Sequence, residues 1–518
     1  MLVHIYGAKC IGIEATKVTV EVDIDRGIGI HLVGLADVAV KESLLRTTTA
    51  LAALGFKIPG KKIVINLAPA DLQKKGSGYD IPIALGIIAA SEQTELPMLK
   101  DFIVMGELGL DGSIRGIPGA LPVAELARDE GFKGCILPLT SALEAAELRE
   151  TAVYGVKNLG EVLRILSGKE NCDDLLIWNT SLGSRMERRR PDVTEEGIVD
   201  FADIIGQEGA KRGIEIAAAG AHNVIMVGAP GAGKSSLAKA MTGILPPMTK
   251  EESLVTSKIY SISGKNRLNY GLMRTRPFRS PHYSASLAAI IGGGGGDSIQ
   301  PGEVSLAQNG VLFLDEVGQM PKSVIEALRG PLEDRKVCIS RLKNKIEYPA
   351  SFMLVAASNP CPCGYWGEGD RCTCTPTQRN NYLGKLSGPL MDRIDLHLWM
   401  HTVDSEKILK RSKAESSGQV ARRVLEARRR QMERFRDESI FTNSEMNNKL
   451  IEKYCPLDNE CLEMMSKLME KTGLSMRGYF RTIRVARTIA DLEGTDKIKT
   501  GHLLEAAGYR FLDKHKEF

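Results

Sequence analysis

Apolar and polar positions along the chain fall into distinct regimes. Up to about residue 168, short β-rich runs (KVTVEVDI, KIVINLA, FIVMGELGL) alternate with helically spaced stretches (SLLRTTTALAAL, PIALGIIAASE, GALPVAELARDEG). Period-two alternation marks half-buried strands and a period near 3.6 marks helices, so 1–168 predicts one compact α/β layer. The next stretch, SGKENCDDLLIWNTSLGSRMERRRPDVTEEG, holds no sustained period and predicts a linker over 169–197. Its arginine-rich piece, Arg185 to Arg190, reads first as a solvated charge run. Over 198–403 apolar strands end in Gly-rich turns. Over 404–518 the pattern is helical, with apolar residues at helix spacing in ARRVLEARRRQMERF, LDNECLEMMSKLMEKTG and SMRGYFRTIRVARTIADLEG. The run Gly292–Gly296 predicts a flexible loop.

The chain has 518 residues, which at roughly 100–200 residues per domain predicts about three or four domains. Hydrophobic residues at 43% and charged residues at 25% exclude a disordered or fibrous chain. Lys and Arg (68) nearly balance Asp and Glu (64), so a nucleic-acid partner would need a local basic surface. The start MLVHIYGAKC lacks a secretory pattern, and the apolar run Ile81–Ala90 is short and contains Pro82. A cytoplasmic protein with no membrane partner is the expectation, with its scattered cysteines kept as thiols.

Chemistry concentrates in the middle regime. Gly228–Ser235 read GAPGAGKS, preceded by the apolar run HNVIMV and followed by the helical SSLAKAMTG. This strand–loop–helix context completes a phosphate-binding loop. The loop Gly228, Ala229, Pro230, Gly231, Ala232, Gly233 and the first helical residues Lys234, Ser235 and Ser236 would surround the phosphates of ATP, with backbone N–H groups from all but Pro230. Lys234 would supply a charge to the β and γ phosphates, and Ser235 would coordinate Mg²⁺. VLFLDE ends a second apolar strand with Asp315, to hold hydrated Mg²⁺, and Glu316, to orient and polarise the attacking water. FMLVAAS ends a third at Asn359, which could contact the γ-phosphate or that water; alone, an Asn before Pro is only a turn signal. Upstream, VDFADIIGQ offers Ile204 and Gln207 for adenine.

Cys361 and Cys363 form C-P-C, and Cys372 and Cys374 form C-T-C, with eight residues between the pairs. Four thiolates from two short turns could surround one tetrahedral, structural Zn²⁺; buried or redox-labile thiols are the alternative. Starting just after Asn359, such a site would brace a loop that reports nucleotide state, or present Tyr365 and Trp366 to a partner.

The succession IIGQ, GAPGAGKS, RPFRSPHYSAS, PGEVSLAQNGVLFLDEV, ISR, YPASFMLVAASNPCPCG and LSGPLMDRIDLH resembles the magnesium-chelatase-like AAA+ ATPases of the ComM/YifB group over essentially the whole chain. The resemblance implies an α/β multidomain protein: an N-terminal α+β domain like that of Lon and ribosomal S5, a central AAA+ P-loop core with helix-2 and presensor-1 insertions, and a C-terminal helical lid. It also implies a homo-oligomeric ring, usually a hexamer, with nucleotide bound between subunits. Asn359 then matches sensor 1, Arg393 in MDRID the arginine finger, and Arg477 in SMRG sensor 2. One departure is PHY at Pro281–Tyr283, where the group is expected to carry PHH, so no role is given to His282. Arg477, Arg481, Arg484 and Arg487 form one helical stripe, facing either DNA or acids of the lid.

The substrate must be read from the insertions. SASLAAIIGGGGGDSIQPGE corresponds to the helix-2 insertion, and KVCISRLKNKIEYPAS to a hairpin tipped by Lys343, Asn344 and Lys345. By resemblance to helicase relatives, Arg341, Lys343 and Lys345 would track the backbone of single-stranded or branched DNA; the plain alternative is a hairpin made soluble by lysines. In the Lon-like domain, Asp80 falls where a serine nucleophile is expected and Leu121 near the expected lysine, while Ser77 beside Lys74 and Lys75 reads as a turn serine. Three functions stand: a DNA-translocating ring that unwinds or migrates recombination intermediates, a chelatase-like remodeller of a protein partner, and an ATP-dependent protease or unfoldase. The missing dyad disfavours the last. The chelatase reading lacks a D-x-S-x-S segment.

Overall fold

Val3–Ile11 (β1) turns at Gly12 into Glu14–Asp25 (β2), and the two pair antiparallel from Val3 opposite Val22 to Ile11 opposite Glu14. They form the middle of a seven-stranded sheet. Gly29–Val33 (β3) and Lys62–Ala68 (β4) extend it on one side; Phe102–Val104 (β5), Gly134–Pro138 (β6) and Ala152–Val156 (β7) extend it on the other, in the order β3-β4-β2-β1-β5-β6-β7. Val38–Ala53 (α1), Asp80–Ala90 (α2) and Ala120–Asp129 (α3) are the principal helices here. The sequence of α2 is apolar all round, and ten of its eleven residues are buried, which is the behaviour of a helix enclosed by core. Gly86 lets it close on β2, since a Cβ there would lie 2.3 Å from Val22.

The computed structural model describes residues 2–74, 76–180, 199–265, 272–294, 299–341, 344–386, 388–402 and 414–514. Lys75, Arg185–Arg190, Gly295, Gly296 and Lys343 lie outside them. The chain divides into two units, residues 1–193 with 250–273 and residues 194–249 with 274–518. The division at 193/194 falls inside the segment expected as a linker, and residues 250–273 group with the first unit. The first half of the expected linker packs onto the first unit: Cys172 and Ile177 are buried, and Trp178 Nε1 donates to the Ala146 carbonyl. Its apolar residues follow no period because they pack from an irregular segment. Lys250–Ser263 also joins the first unit, although it follows the phosphate-loop helix in sequence. Its Lys258 pairs with Glu125, and the Gly119 N–H donates to Ser261 O at 3.1 Å.

The second unit holds a five-stranded, all-parallel sheet. Its strands are Val224–Gly228 (β8), Phe278–Arg279 (β9), Val311–Leu314 (β10), Met353–Ser358 (β13) and Leu396–Met400 (β14), ordered β9-β10-β13-β8-β14. Between β10 and β13 the hairpin Lys336–Arg341 (β11) and Asn344–Pro349 (β12) stands apart as its own two-stranded sheet. Strands β8, β10 and β13 are buried along their whole length, as continuous apolar runs in parallel sheets require. The helices Glu208–Gly220 (α4) and Lys234–Met241 (α5) share one core with the C-terminal helices Ser417–Arg434 (α6), Asn459–Thr472 (α7), Met476–Glu493 (α8) and Thr500–Gly508 (α9). Arg428 donates to the carbonyls of Ala218 and Ala219 at the end of α4, and Gln431 also to Ala219, so polar groups that a helix terminus leaves open are satisfied by the lid.

Asp395, just before β14, fastens the lid to the core. It is 4% exposed, accepts from Arg481 of α8 at 2.9 Å and from the Asn223 N–H at 3.1 Å, and lies 3.5 Å from His222. Burial opposes its ionisation, but Arg481 and His222 outweigh that and hold the carboxyl well below its usual range. Replacing Asp395 by Asn leaves Arg481 buried against a neutral group, so a loss of about 3–5 kcal/mol is expected in chemical denaturation of the second unit. The sign in pH follows from the depressed pKa. The stabilisation is complete above the unfolded value of about 4 and fades as pH falls toward the folded one, so the difference between wild type and Asp395→Asn narrows in strong acid.

Candidate nucleotide and metal site

β8 delivers the chain to the carboxyl edge of the sheet, where Ala229–Gly233 bend back into α5. Gly231 and Gly233 have φ of +79° and +88°, a region that residues with a Cβ adopt only with strain. At Gly228 the need is proximity: a Cβ would sit 2.3 Å from Met400 O on the adjacent β14. The first N–H groups of α5 have no intrahelical acceptor, which makes this turn a receptor for anions.

Lys234 is 9% exposed, and its Nζ donates to Gly228 O at 2.6 Å, Ala229 O at 3.0 Å and Asn359 Oδ1 at 3.3 Å. Burial lowers its pKa; Asp315 and Glu316 oppose that but do not cancel it. Ser235 Oγ donates to Asp315 Oδ2 at 2.9 Å, so the two expected Mg²⁺ ligands are already adjacent. Asp315 Oδ1 accepts the Glu316 N–H at 2.9 Å, and Glu316 takes φ +49°, turning the chain sharply after β10. The structure thus brings Lys234, Ser235, Asp315 and Asn359 together, with Glu316 next in chain. Ser236 is exposed on α5.

Gln207 occupies a left-handed position before α4 and donates to Ala232 O at 3.2 Å and His401 O at 2.6 Å, tying the phosphate loop to the end of β14. Ile204 is 8% exposed and packs in the core of the unit. Tyr382 was not legible from the sequence. It packs at Gly318 and Ser358, and its pKa is raised by burial, with Glu316 contributing.

Arg393 and Arg477 sit elsewhere. Arg393 precedes β14 at the amino edge of the sheet, about 15 Å from the phosphate loop at ~3.3 Å per strand residue. It pairs with Glu333, and Arg477 reaches Asp392 at 3.4 Å with its side chain 67% exposed. The rest of the arginine stripe turns inward: Arg481 goes to Asp395, and Arg487, 2% exposed, to Asp491 and the carbonyls of Thr495 and Asp496.

The cysteines converge. The sulfurs of Cys361, Cys363, Cys372 and Cys374 all lie within 4.8 Å of one another, with separations of 3.3 Å (361 to 363), 3.8 Å (361 to 372) and 3.7 Å (363 to 372). Tetrahedral Zn–S bonds of about 2.3 Å need sulfurs about 3.8 Å apart, so the donor set fits zinc. The Tyr365 backbone N–H lowers the Cys363 pKa to about 6, with burial opposing, while the pKa values of Cys372 and Cys374 are raised.

In the hairpin, Lys345 is exposed and pairs across with Ser340, while Ile339 and Tyr348 are buried. Arg341 pairs with Asn344 in the backbone register. The Tyr348 hydroxyl donates to Ile299 O at 3.1 Å, and Ile339 abuts Gly292, so the two insertions pack on each other. In the first unit, Asp80 is fully buried and receives Arg46 through Nε (2.9 Å) and Nη2 (3.1 Å) and the Leu108 N–H at 3.1 Å. Leu121 is buried, Lys74 donates to Pro69 O, and Ser77 donates to Glu107.

A phosphate loop on a central parallel strand, acids ending the next strand but one and a polar residue ending the strand between define a P-loop core of the AAA+ type, followed by a helical domain. The chain belongs to the magnesium-chelatase-like family of AAA+ proteins. Models of magnesium chelatase subunit ChlI match residues 200–408 and 20–141, and that of the ChlI C-terminal domain matches 414–510. The chain is 41% identical to the competence protein ComM of Haemophilus influenzae over 98% of its own length and 97% of the relative, and 40% identical to YifB of Salmonella typhimurium over 99% and 98%. It is 26% identical to an archaeal Lon protease of Methanocaldococcus jannaschii over 32% of this chain and 27% of that one. The family implies ATP hydrolysis with Mg²⁺. Among the described residues, no helix is long and apolar enough to cross a membrane.

Gly228→Ala is expected to force β8 and β14 apart, lowering stability by about 1–3 kcal/mol and weakening nucleotide binding. Gly231→Ala meets open space and carries only the backbone strain of its positive φ, about 1 kcal/mol. Denaturation midpoints and the binding of a fluorescent ATP analogue check both.

Proposed function

We propose that the protein is a ring-forming, ATP-hydrolysing DNA motor that unwinds or branch-migrates recombination intermediates. The observation that carries the reading is the full-length likeness to ComM, joined to a packed pair of insertions that presents the exposed Lys345. In this reading Lys234 binds the β and γ phosphates once its backbone carbonyls release it, Ser235 and Asp315 hold Mg²⁺, and Glu316 polarises the water. Asn359 reports the γ-phosphate, while Gln207 and Ile204 border the adenine side. Arg393, held by Glu333 at the amino edge of the sheet, acts as the finger on the nucleotide of the adjoining subunit in a homo-oligomeric, hexameric ring, and Arg477 serves as sensor 2. The four cysteines hold one structural zinc. Arg341, Lys343 and Lys345 follow the DNA backbone, and the protein works in the cytoplasm.

The chelatase-type remodeller remains the second reading, favoured by the ChlI models that match most of the chain. The protease reading is disfavoured because the position expected to hold its serine is Asp80, an acceptor already engaged by Arg46 and Leu108.

The deciding experiment measures ATP hydrolysis without DNA and with single-stranded, duplex and forked DNA, alongside strand displacement from a three-stranded junction. Stimulation that weakens with salt, together with displacement, is expected. Indifference to every DNA with intact basal hydrolysis transfers the assignment to a protein-remodelling motor. Glu316→Gln should bind ATP and lose at least 100-fold in turnover, on the order expected for a positioned general base. Arg393→Ala should bind ATP equally well yet fail to hydrolyse it, and activity from an isolated monomer would contradict the shared site.

A further inference from the structure

The cysteine loop and the phosphate loop share a wall. Cys361 follows two residues after Asn359, whose Oδ1 accepts from Lys234. Gly364, buried and at φ +84°, lies so close to the phosphate loop that a Cβ would be 2.8 Å from Pro230 Cδ and 4.0 Å from Asn359 Cγ. On its other flank, Trp366 meets Trp399 edge-on with centroids 5.3 Å apart, and Gly367 abuts the same ring. Glu368 accepts the Thr402 N–H at 3.0 Å and the Thr402 hydroxyl. Thr402 follows His401, whose carbonyl is held by Gln207, which in turn holds Ala232 of the phosphate loop. The cysteine loop therefore touches the phosphate loop directly at Pro230 and indirectly at Ala232.

Between Cys361 and Cys374 the only regular structure is the short 3₁₀ turn Gly369–Arg371, so little besides the sulfur cluster joins the start of this loop to its end. A metal there fixes Gly364 against Pro230 and Glu368 against Thr402 at once. We infer that zinc bound by Cys361, Cys363, Cys372 and Cys374 braces the phosphate loop in its nucleotide-binding conformation, so that zinc and ATP bind with positive coupling. This rests on the zinc assignment above. Gly364 and Glu368 are positioning residues, acting through Pro230 and Thr402.

Coupling between sites is reciprocal and typically 5- to 150-fold, so about a tenfold effect is expected in each direction. The test uses the full chain purified anaerobically, beginning with its zinc content. The affinity for a fluorescent, non-hydrolysable ATP analogue is then compared before and after chelator treatment, with circular dichroism reporting the fold. In parallel, zinc transfer from the untreated protein to a chromogenic chelator is followed with and without saturating analogue and Mg²⁺. Expected are one zinc per chain, roughly tenfold weaker nucleotide binding after stripping, and a matching strengthening of zinc retention by nucleotide. Gly364→Ala should keep its zinc, bind nucleotide more weakly, and lose the effect of nucleotide on zinc transfer. If the stripped chain unfolds, Gly364→Ala still decides, since its nucleotide affinity is compared with that of the unaltered chain with zinc bound in both. Absence of zinc removes the metal assignment itself. Full zinc content with transfer indifferent to nucleotide leaves that assignment standing and overturns the coupling.

Discussion

Burying the ammonium of Lys234 is the constraint around which the second unit is organised. Removing such a group from water costs several kcal/mol, and two backbone carbonyls with one amide oxygen offset only part of it. The lowered pKa of Lys234 reflects that shortfall, which Asp315 and Glu316 reduce without closing. A polyphosphate supplies the missing negative charge. The site must therefore hold strand ends in fixed relation before any nucleotide arrives. The parallel sheet does this by aligning β8, β10 and β13 at one edge, the missing side chain at Gly228 lets β14 close in, and Gln207 ties the turn to His401.

The same sheet separates two halves of the proposed chemistry. The groups proposed to bind phosphate and magnesium follow the carboxyl ends of strands, whereas Arg393 precedes a strand and lies with Arg477 at the opposite edge. A single chain of the proposed ring carries both the receptor and the guanidinium, at opposite edges of one sheet. In the proposed ring, Glu333 occupies Arg393 until a neighbour's phosphate competes for it. Such an exchange of ionic partners would couple hydrolysis to assembly without any folding change within the unit.

What the sequence made legible was contiguous. GAPGAGKS between an apolar run and a helix, LDE at a strand end and Asn359 after FMLVAAS each carry strand, turn and functional residue within about ten positions, so periodicity and turn chemistry suffice. The cysteine pairs were also readable, because two short turns place sulfurs close whatever lies between. Illegible features depend on contacts distant in sequence. Lys250–Ser263 has its place in the first unit from Glu125 and Gly119, more than a hundred residues earlier. Asp395 gains its role from Arg481, and Tyr382 from Ser358 and Gly318. The arginine stripe shows the limit most plainly: spacing puts four guanidiniums on one side of a helix, but only packing reveals that Arg487 is buried with Asp491 while Arg477 faces outward.

The first unit bears on the same issue from the opposite direction, since it resembles a protease domain in part and yet its chemistry points to structure. A protease of the Ser–Lys kind needs a serine hydroxyl with the lysine amine in reach. Where the sequence leads one to expect the serine stands Asp80, buried and accepting two bonds from Arg46 and one from the Leu108 N–H, which anchors the start of α2 to α1 and to the short strand Glu107–Leu108. Breaking a buried pair of this kind leaves an uncompensated charge, so Asp80 and Arg46 hold each other in place. Ser77 is engaged by Glu107 and Lys74 by a backbone carbonyl, which gives neighbouring candidates structural partners as well. The pair of Asp80 with Arg46 thus fixes the start of α2 against α1 inside the first unit.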